Sequence, residues 1–139
     1  MLKVHIDAST KSEEELSGGG ILITGTSIYE QLKIPLTATN NHEAEFEVFL
    51  KSLEILSQYA SASEAIFLYT DSKIVVQTID KSSTSNPNFV SWLKKINALL
   101  PKFPLLIIQW IPESKNKGAD NLARQALAKQ IKNKKTKNS

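Results

Sequence analysis

Hydrophobic and polar positions change rhythm several times along this chain, and each rhythm predicts an element. Leu2, Val4 and Ile6 alternate with Lys3, His5 and Asp7, the two-residue period of a half-buried strand. Asp7 then lies on the face opposite the aliphatic trio, near the strand's end. Residues 11–15 read as a turn. Gly18-Gly19-Gly20 reads as a flexible lead into a second strand over 21–24, because a triple glycine with no Lys-Ser/Thr after it lacks the makings of a phosphate cradle. Residues 28–36 alternate again, with Ile28, Leu32, Ile34 and Leu36 on one side. Three strands in quick succession predict an antiparallel meander.

The rhythm then lengthens, and residues 40–59 predict a helix opened by the capping residues Asn40 and Asn41. On a wheel of about 100° per residue, Glu43, Glu47, Lys51, Glu54 and Gln58 form a polar arc expected to face solvent. Val48, Phe49, Leu50, Leu53, Ile55, Leu56 and Tyr59 cover most of the rest. Glu45 breaks the sorting, for it falls among the apolar residues beside Phe49 and Leu56. A carboxylate on a buried face is costly without a partner. Glu45 is therefore either a structural acid, bonded to an amide or a lysine, or part of a metal or proton site.

Residues 65–70 form a short apolar run, a buried strand ending in Asp71-Ser72, with a short helix over 73–79. An acid there sits at the carboxyl edge of the sheet, where α/β folds place ligands; an N-cap explains it equally well. After a polar loop, residues 89–100 carry Phe89, Trp92, Leu93, Ile96, Leu99 and Leu100 at helical spacing, with Trp92 read as core. Residues 105–111 predict a buried strand and 112–118 a polar loop. The last helix, 119–131, has Leu122, Ala123, Ala126, Leu127 and Ile131 on one side and Asp120 at the edge of that arc. The order β-β-β-α-β-α-α-β-α predicts an α/β fold, a mixed five-stranded sheet with helices packed on it.

Composition narrows the class of protein. At 139 residues the chain buries roughly two-thirds of its unfolded surface as one domain, assigned here to residues 1–131. It has no cysteine, so thiolate chemistry and disulfides are excluded. No run reaches the roughly 20 apolar residues of a membrane span. The start lacks the apolar stretch of a secretory signal, and a cytoplasmic monomer is expected. The net charge of +3 rests on Lys129, Lys132, Lys134, Lys135 and Lys137; without them 12 basic residues face 14 acidic ones. Residues 132–139 are expected to be a flexible Lys-rich tail, suited to a polyanion or serving as a frayed, solubilising end.

Four carboxylates thus stand out by placement: Asp7, Glu45, Asp71 and Asp120. Such acids repel one another unless cations fill the space between them, and hard divalent ions suit oxygen ligands. In its element order the chain resembles the ribonuclease H fold, and in its motifs type 1 ribonuclease H. The matching pieces are His5-Ile6-Asp7-Ala8-Ser9, Asn41-His42-Glu43-Ala44-Glu45-Phe46, Tyr69-Thr70-Asp71-Ser72 and Asn116-Lys117-Gly118-Ala119-Asp120-Asn121-Leu122-Ala123.

The resemblance implies a nuclease cutting the RNA strand of RNA/DNA hybrids with two Mg²⁺ or Mn²⁺ ions and no small-molecule cofactor. Asp7, Glu45, Asp71 and Asp120 would be the ligands, with Asp7 and Asp71 at or near the bridging positions. Asn41 and the backbone near Ser9 and Ser72 are the candidates for contact with the 2′-hydroxyl, and Lys73, with Lys115 and Lys117, for phosphate. The chain departs from the family's pattern in several places. The first acid is followed by Ala8 and then an acidic run at Glu13-Glu14-Glu15, and residues 111–119 contain no His. Glu113 stands where a related branch has Arg, and no Lys-rich insertion is recognisable around 81–87. These departures imply a slow or altered nuclease, with two alternatives: a binding module that keeps the fold without turnover, and a relative that processes DNA strands.

Overall fold

The computed structural model describes residues 1–137. Its elements follow the expected order: β1 (Leu2–Lys11), β2 (Leu16–Gly25), β3 (Tyr29–Leu36), α1 (Asn41–Leu56), β4 (Ile66–Thr70), α2 (Lys73–Lys81), α3 (Pro87–Leu99), β5 (Leu106–Trp110) and α4 (Lys117–Lys137). The strands make one mixed sheet in the order β3-β2-β1-β4-β5. β1 to β3 are the antiparallel meander, while β4 runs parallel to β1 and β5 parallel to β4. Among the described residues no helix is long and apolar enough to cross a membrane.

α1 lies over one face of β1 and β2 with α3 packed beside it, and α4 lies over the other face, chiefly on β2. Between sheet and α1, the inward residues Val4, Ile6, Ile21, Ile23 and Leu68 meet Phe46, Phe49, Leu53 and Leu56, all fully buried. Each such side chain contributes roughly 1.5–3 kcal/mol by leaving water. Asn40 caps α1 reciprocally: its Oδ1 accepts from the Glu43 amide at 3.0 Å, and its Nδ2 donates to Glu43 Oε2 at 2.7 Å.

The triple glycine is not a flexible lead-in. It lies within β2, opposite Asp7, Ala8 and Ser9 of β1, and all three glycines are buried. A Cβ on Gly18 or Gly20 would collide with the α4 backbone at Leu127 or Ala119. α4 meets them with Ala119, Ala123 and Ala126, all buried and about a turn apart. Small residues on both surfaces bring the helix onto the strand, which fixes the height of Asp120 over the sheet. Gly20→Ala is expected to cost about 1–3 kcal/mol through overpacking, read as a lower urea midpoint at unchanged slope. An unchanged midpoint would mean that α4 can move away freely.

Other expectations change in register or burial. β1 continues to Lys11, so Asp7 is in mid-strand rather than near its end, and the acidic run at Glu13 to Glu15 sits at the hairpin tip beyond it. α1 ends at Leu56, and Tyr59 beyond it is exposed. Trp92 is only half-buried at the rim of the core, where its Nε1 donates to Glu43 Oε1 at 2.9 Å. β5 is an edge strand, not a buried one: α4 stays over the β1 to β3 half, leaving Ile107 51% exposed.

Glu47 departs furthest from its expected place on the solvent arc, being only 2% exposed. Its carboxylate accepts from the Thr37 amide at 2.9 and 3.0 Å, the Thr37 hydroxyl at 2.9 Å and the Ala38 amide at 2.8 Å. It binds the turn between β3 and α1 to the helix. At the other end of the chain, α4 runs unbroken past residue 131 to Lys137, so the Lys-rich residues 132–137 are helical. Asn138 and Ser139 lie outside the described residues.

Candidate active site

The parallel register of β1 and β4 sets His5 level with Tyr69. Two residues further along each, Asp7 and Asp71 come level at the carboxyl end of β4. Pairing to β2 keeps Asp7 within β1, whereas β4 stops at Thr70. Ser72 is the N-cap of α2, its hydroxyl accepting from the Val75 amide at 3.3 Å. That settles one ambiguity: the capping belongs to Ser72, and Asp71 is left for other work.

Glu45, on the second turn of α1, has a side chain only 16% exposed. It accepts from Asn41 Nδ2 at 2.9 Å. Asp120 is in the first turn of α4, where Arg124 Nε lies 3.2 and 3.1 Å from its two oxygens. Asn116 fastens that turn to β1. Its buried Nδ2 donates to the Ile6 carbonyl at 2.8 Å, and its own carbonyl accepts from the Asp120 amide at 3.0 Å. Four acids, from β1, α1, α4 and the turn just after β4, thus line one cavity of about 260 Å³, together with Ala8, Asn41 and Glu113. Glu113 is a fifth carboxylate whose part was not readable from the sequence; its position just after Pro112, in the loop leading to α4, was the available signal.

The electrostatics of this cavity follow from its acids. Asp7, 8% exposed, has its pKa pushed up to about 8. Burial is the main cause, the charges of Asp71 and Asp120 add to it, and the Ala8 amide 2.9 Å away opposes it. Asp71 is raised by burial and by Glu113 and Asp120, with a hydrogen bond from Asn116 opposing. Glu45 is raised by burial too, against the Ser72 hydroxyl, His42 and Asn41.

Among the described residues, no three His, Asp or Glu side chains stand in an arrangement that could hold a metal ion. The acids line the cavity without closing around a point in it. Their chemistry fits a hard divalent cation, since the donors are carboxylate oxygens alone. Asp7 is held protonated chiefly by burial and further by the charges of Asp71 and Asp120, and Arg124 pairs with only one acid of the cluster, Asp120.

The expected nucleic-acid contacts are distributed unevenly. Asn41 lines the acid cavity. Ser72 and Lys73 line a second groove of about 650 Å³ that shares Glu45, Asp71 and Glu113 with the first. Ser9 lies two residues beyond Asp7 on β1 and borders neither.

Residues 5–126 match the family of reverse transcriptase-like domains. The chain belongs to this ribonuclease H-like family. It is 44% identical to "Putative hydrolase EbsB" of Enterococcus faecalis over 97% of this chain and 100% of that one. In fold it is similar to the N-terminal RNase H domain of Rv2228c from Mycobacterium tuberculosis, with a TM-score of 0.82 and 19% identity over 95% of this chain and 96% of that one. It is equally similar to LC11-RNase H1, isolated from compost and solved in complex with an RNA/DNA hybrid. There the TM-score is 0.82, with 21% identity over 94% of this chain and 99% of that one. The family's mixed sheet, with strand order β3-β2-β1-β4-β5, is the frame that carries Asp7 and Asp71 to the same edge.

Proposed function

We propose that this protein is a divalent-metal-dependent endonuclease that hydrolyses the RNA strand of RNA/DNA hybrids. The observation that carries the reading is the convergence of Asp7, Glu45, Asp71 and Asp120, from β1, α1, the turn after β4 and α4, on one cavity at the end of β4. Membership of a ribonuclease H-like family supports a nuclease, the name of the Enterococcus relative supports hydrolysis, and the hybrid bound to LC11-RNase H1 supports the substrate.

Asp7, Glu45, Asp71 and Asp120 would hold Mg²⁺ or Mn²⁺. When bound, such ions would supply the positive charge that phosphodiester hydrolysis needs. The chain's own residues prepare the place. Asn41 orients Glu45, Arg124 holds both oxygens of Asp120, and Asn116 fixes the start of α4 against β1. Asn41 and the backbone at Ser72 are the groups offered to the 2′-hydroxyl, which lets a protein tell RNA from DNA, and Lys73 is offered to phosphate. All four acids come from one chain, so a monomer suffices.

Incubation with a labelled hybrid and Mg²⁺ or Mn²⁺ tests the reading. Cleavage of the RNA strand, removed by Asp71→Asn or Glu45→Gln, is the expected result. Absence of cleavage, or cleavage indifferent to Asp71→Asn, overturns it. A second reading is a hybrid-binding module with little or no turnover. It is favoured by acids that do not close around a metal position and by the lack of any His in residues 111–119. That reading predicts salt-sensitive binding without cleavage of hybrid, double-stranded RNA or DNA.

A further inference from the structure

Where the acid cavity opens toward α2 and β5, its chemistry changes. The adjoining groove shares Glu45, Asp71 and Glu113 with it, and adds Lys73, Ile74 and Trp110. Trp110 is the last residue of β5 and is 39% exposed. Its ring is not loose, because Nε1 donates to the Asp71 carbonyl at 3.1 Å. With its N–H spent internally, the indole offers the groove an apolar surface held against the residue that also lines the acid cavity. Lys73 Nζ lies over this ring, 4.9 Å from its centroid. It is, among the described residues, the only lysine or arginine lining the groove. Among the described residues it makes no salt bridge to the acids around it.

We propose that Trp110 and Lys73 form a nucleotide subsite next to the cleavage position: the indole takes a sugar or base face of the bound strand, and the ammonium takes its phosphate. An aromatic face beside a cation is the combination that grips nucleic-acid strands with little regard to sequence. The groove's volume of about 650 Å³ lies within the usual range for small-ligand sites. Its position supplies the continuity, since a strand with one phosphate at the acids must continue over a neighbouring surface, and this groove is joined to the cavity through Asp71. A phosphate entering the groove draws the ammonium off the ring and uncovers the indole face for the nucleotide. The subsite rests on the proposed reading in needing a nucleic acid at the acid cavity, but it does not need that strand to be cut.

The chain has two tryptophans, and Trp92 lies outside both cavities, so Trp92→Phe leaves Trp110 as the only indole reporter. Titrating that variant with fluorescently labelled RNA/DNA hybrid in Ca²⁺ is expected to quench Trp110 emission in step with the rise in hybrid anisotropy. Trp110→Ala is expected to weaken binding about tenfold, with Trp110→Phe restoring most of it. Lys73→Gln is expected to reduce the slope of log affinity against log salt by about one. The proposal is overturned if hybrid binds while Trp110 emission stays constant, or if no hybrid binds at all. It is also overturned if Trp110→Phe is as damaging as Trp110→Ala, which would assign the effect to the bond with Asp71. Quenching without RNA cleavage leaves the subsite standing and removes the nuclease reading; cleavage without quenching does the reverse.

Discussion

Asp7→Asn is expected to stabilise the metal-free protein and, in the same stroke, to abolish cleavage of the hybrid. In an unfolded chain an aspartate loses its proton near pH 3.9, whereas in the fold Asp7 holds it to about pH 8. Between those values the folded protein binds a proton that the unfolded chain has released, so stability falls as pH rises through that window and levels off above it. The full penalty is on the order of 5 kcal/mol, and the upward shifts of Glu45 and Asp71 act in the same direction. Thermal melts in EDTA should therefore show the wild type weaker at pH 8 than at pH 5. Asn cannot ionise, so the variant should have a flatter profile and melt higher at pH 8. Mg²⁺ should raise the wild-type midpoint by binding the folded state, and raise that of Asp7→Asn less. Cleavage should fall at least about a thousandfold, since a bound cation contributes several kcal/mol to the transition state. A wild-type profile that is flat with pH would mean that burial and the neighbouring acids do not hold Asp7 protonated in the fold.

Glu47→Ala should do the opposite, unfolding the protein more readily without touching the chemistry directly. Its carboxylate is the partner of the Thr37 and Ala38 amides and of the Thr37 hydroxyl. Removing it leaves these donors unpaired at the start of α1, at roughly 1–3 kcal/mol for each amide that stays dry. The expected loss is about 4 kcal/mol, measured as a drop in the urea midpoint. Glu47→Gln, which keeps one acceptor oxygen, should lose about half of that. A fold insensitive to both would show that water replaces the carboxylate.

The contrast between Glu45 and Glu47 shows what could be read from sequence and what could not. A wheel sorts residues by the helix's own axis, and it singled out Glu45 because apolar neighbours surround it. It had no means of seeing Thr37 and Ala38, whose amides approach α1 from the preceding turn and make Glu47 a buried acid. The element order was legible because alternation and helical spacing are local properties. Asp71 and Asp120 were legible as acids at element ends, though not the bond of Asn116 to Ile6 that places Asp120. Gly18 and Gly20 of β2 escape a sequence reading for a similar reason: their demand for smallness comes from α4, some hundred residues later, and not from the bend of their own chain. Trp110 looked like one more apolar residue of a buried strand until the sheet order made β5 an edge.

The bond from Asn116 to the Ile6 carbonyl joins residues 110 apart. On the proposed reading it has a consequence for how the protein comes into being. Asp7 emerges from the ribosome early and Asp120 late, on the helix that closes the fold. Until α4 has left the exit tunnel and docked on β2, the cluster is one acid short and the start of that helix has nothing to hold it. On that reading the site that cuts the hybrid is complete only once α4 has docked and the Asn116 bond to Ile6 has formed.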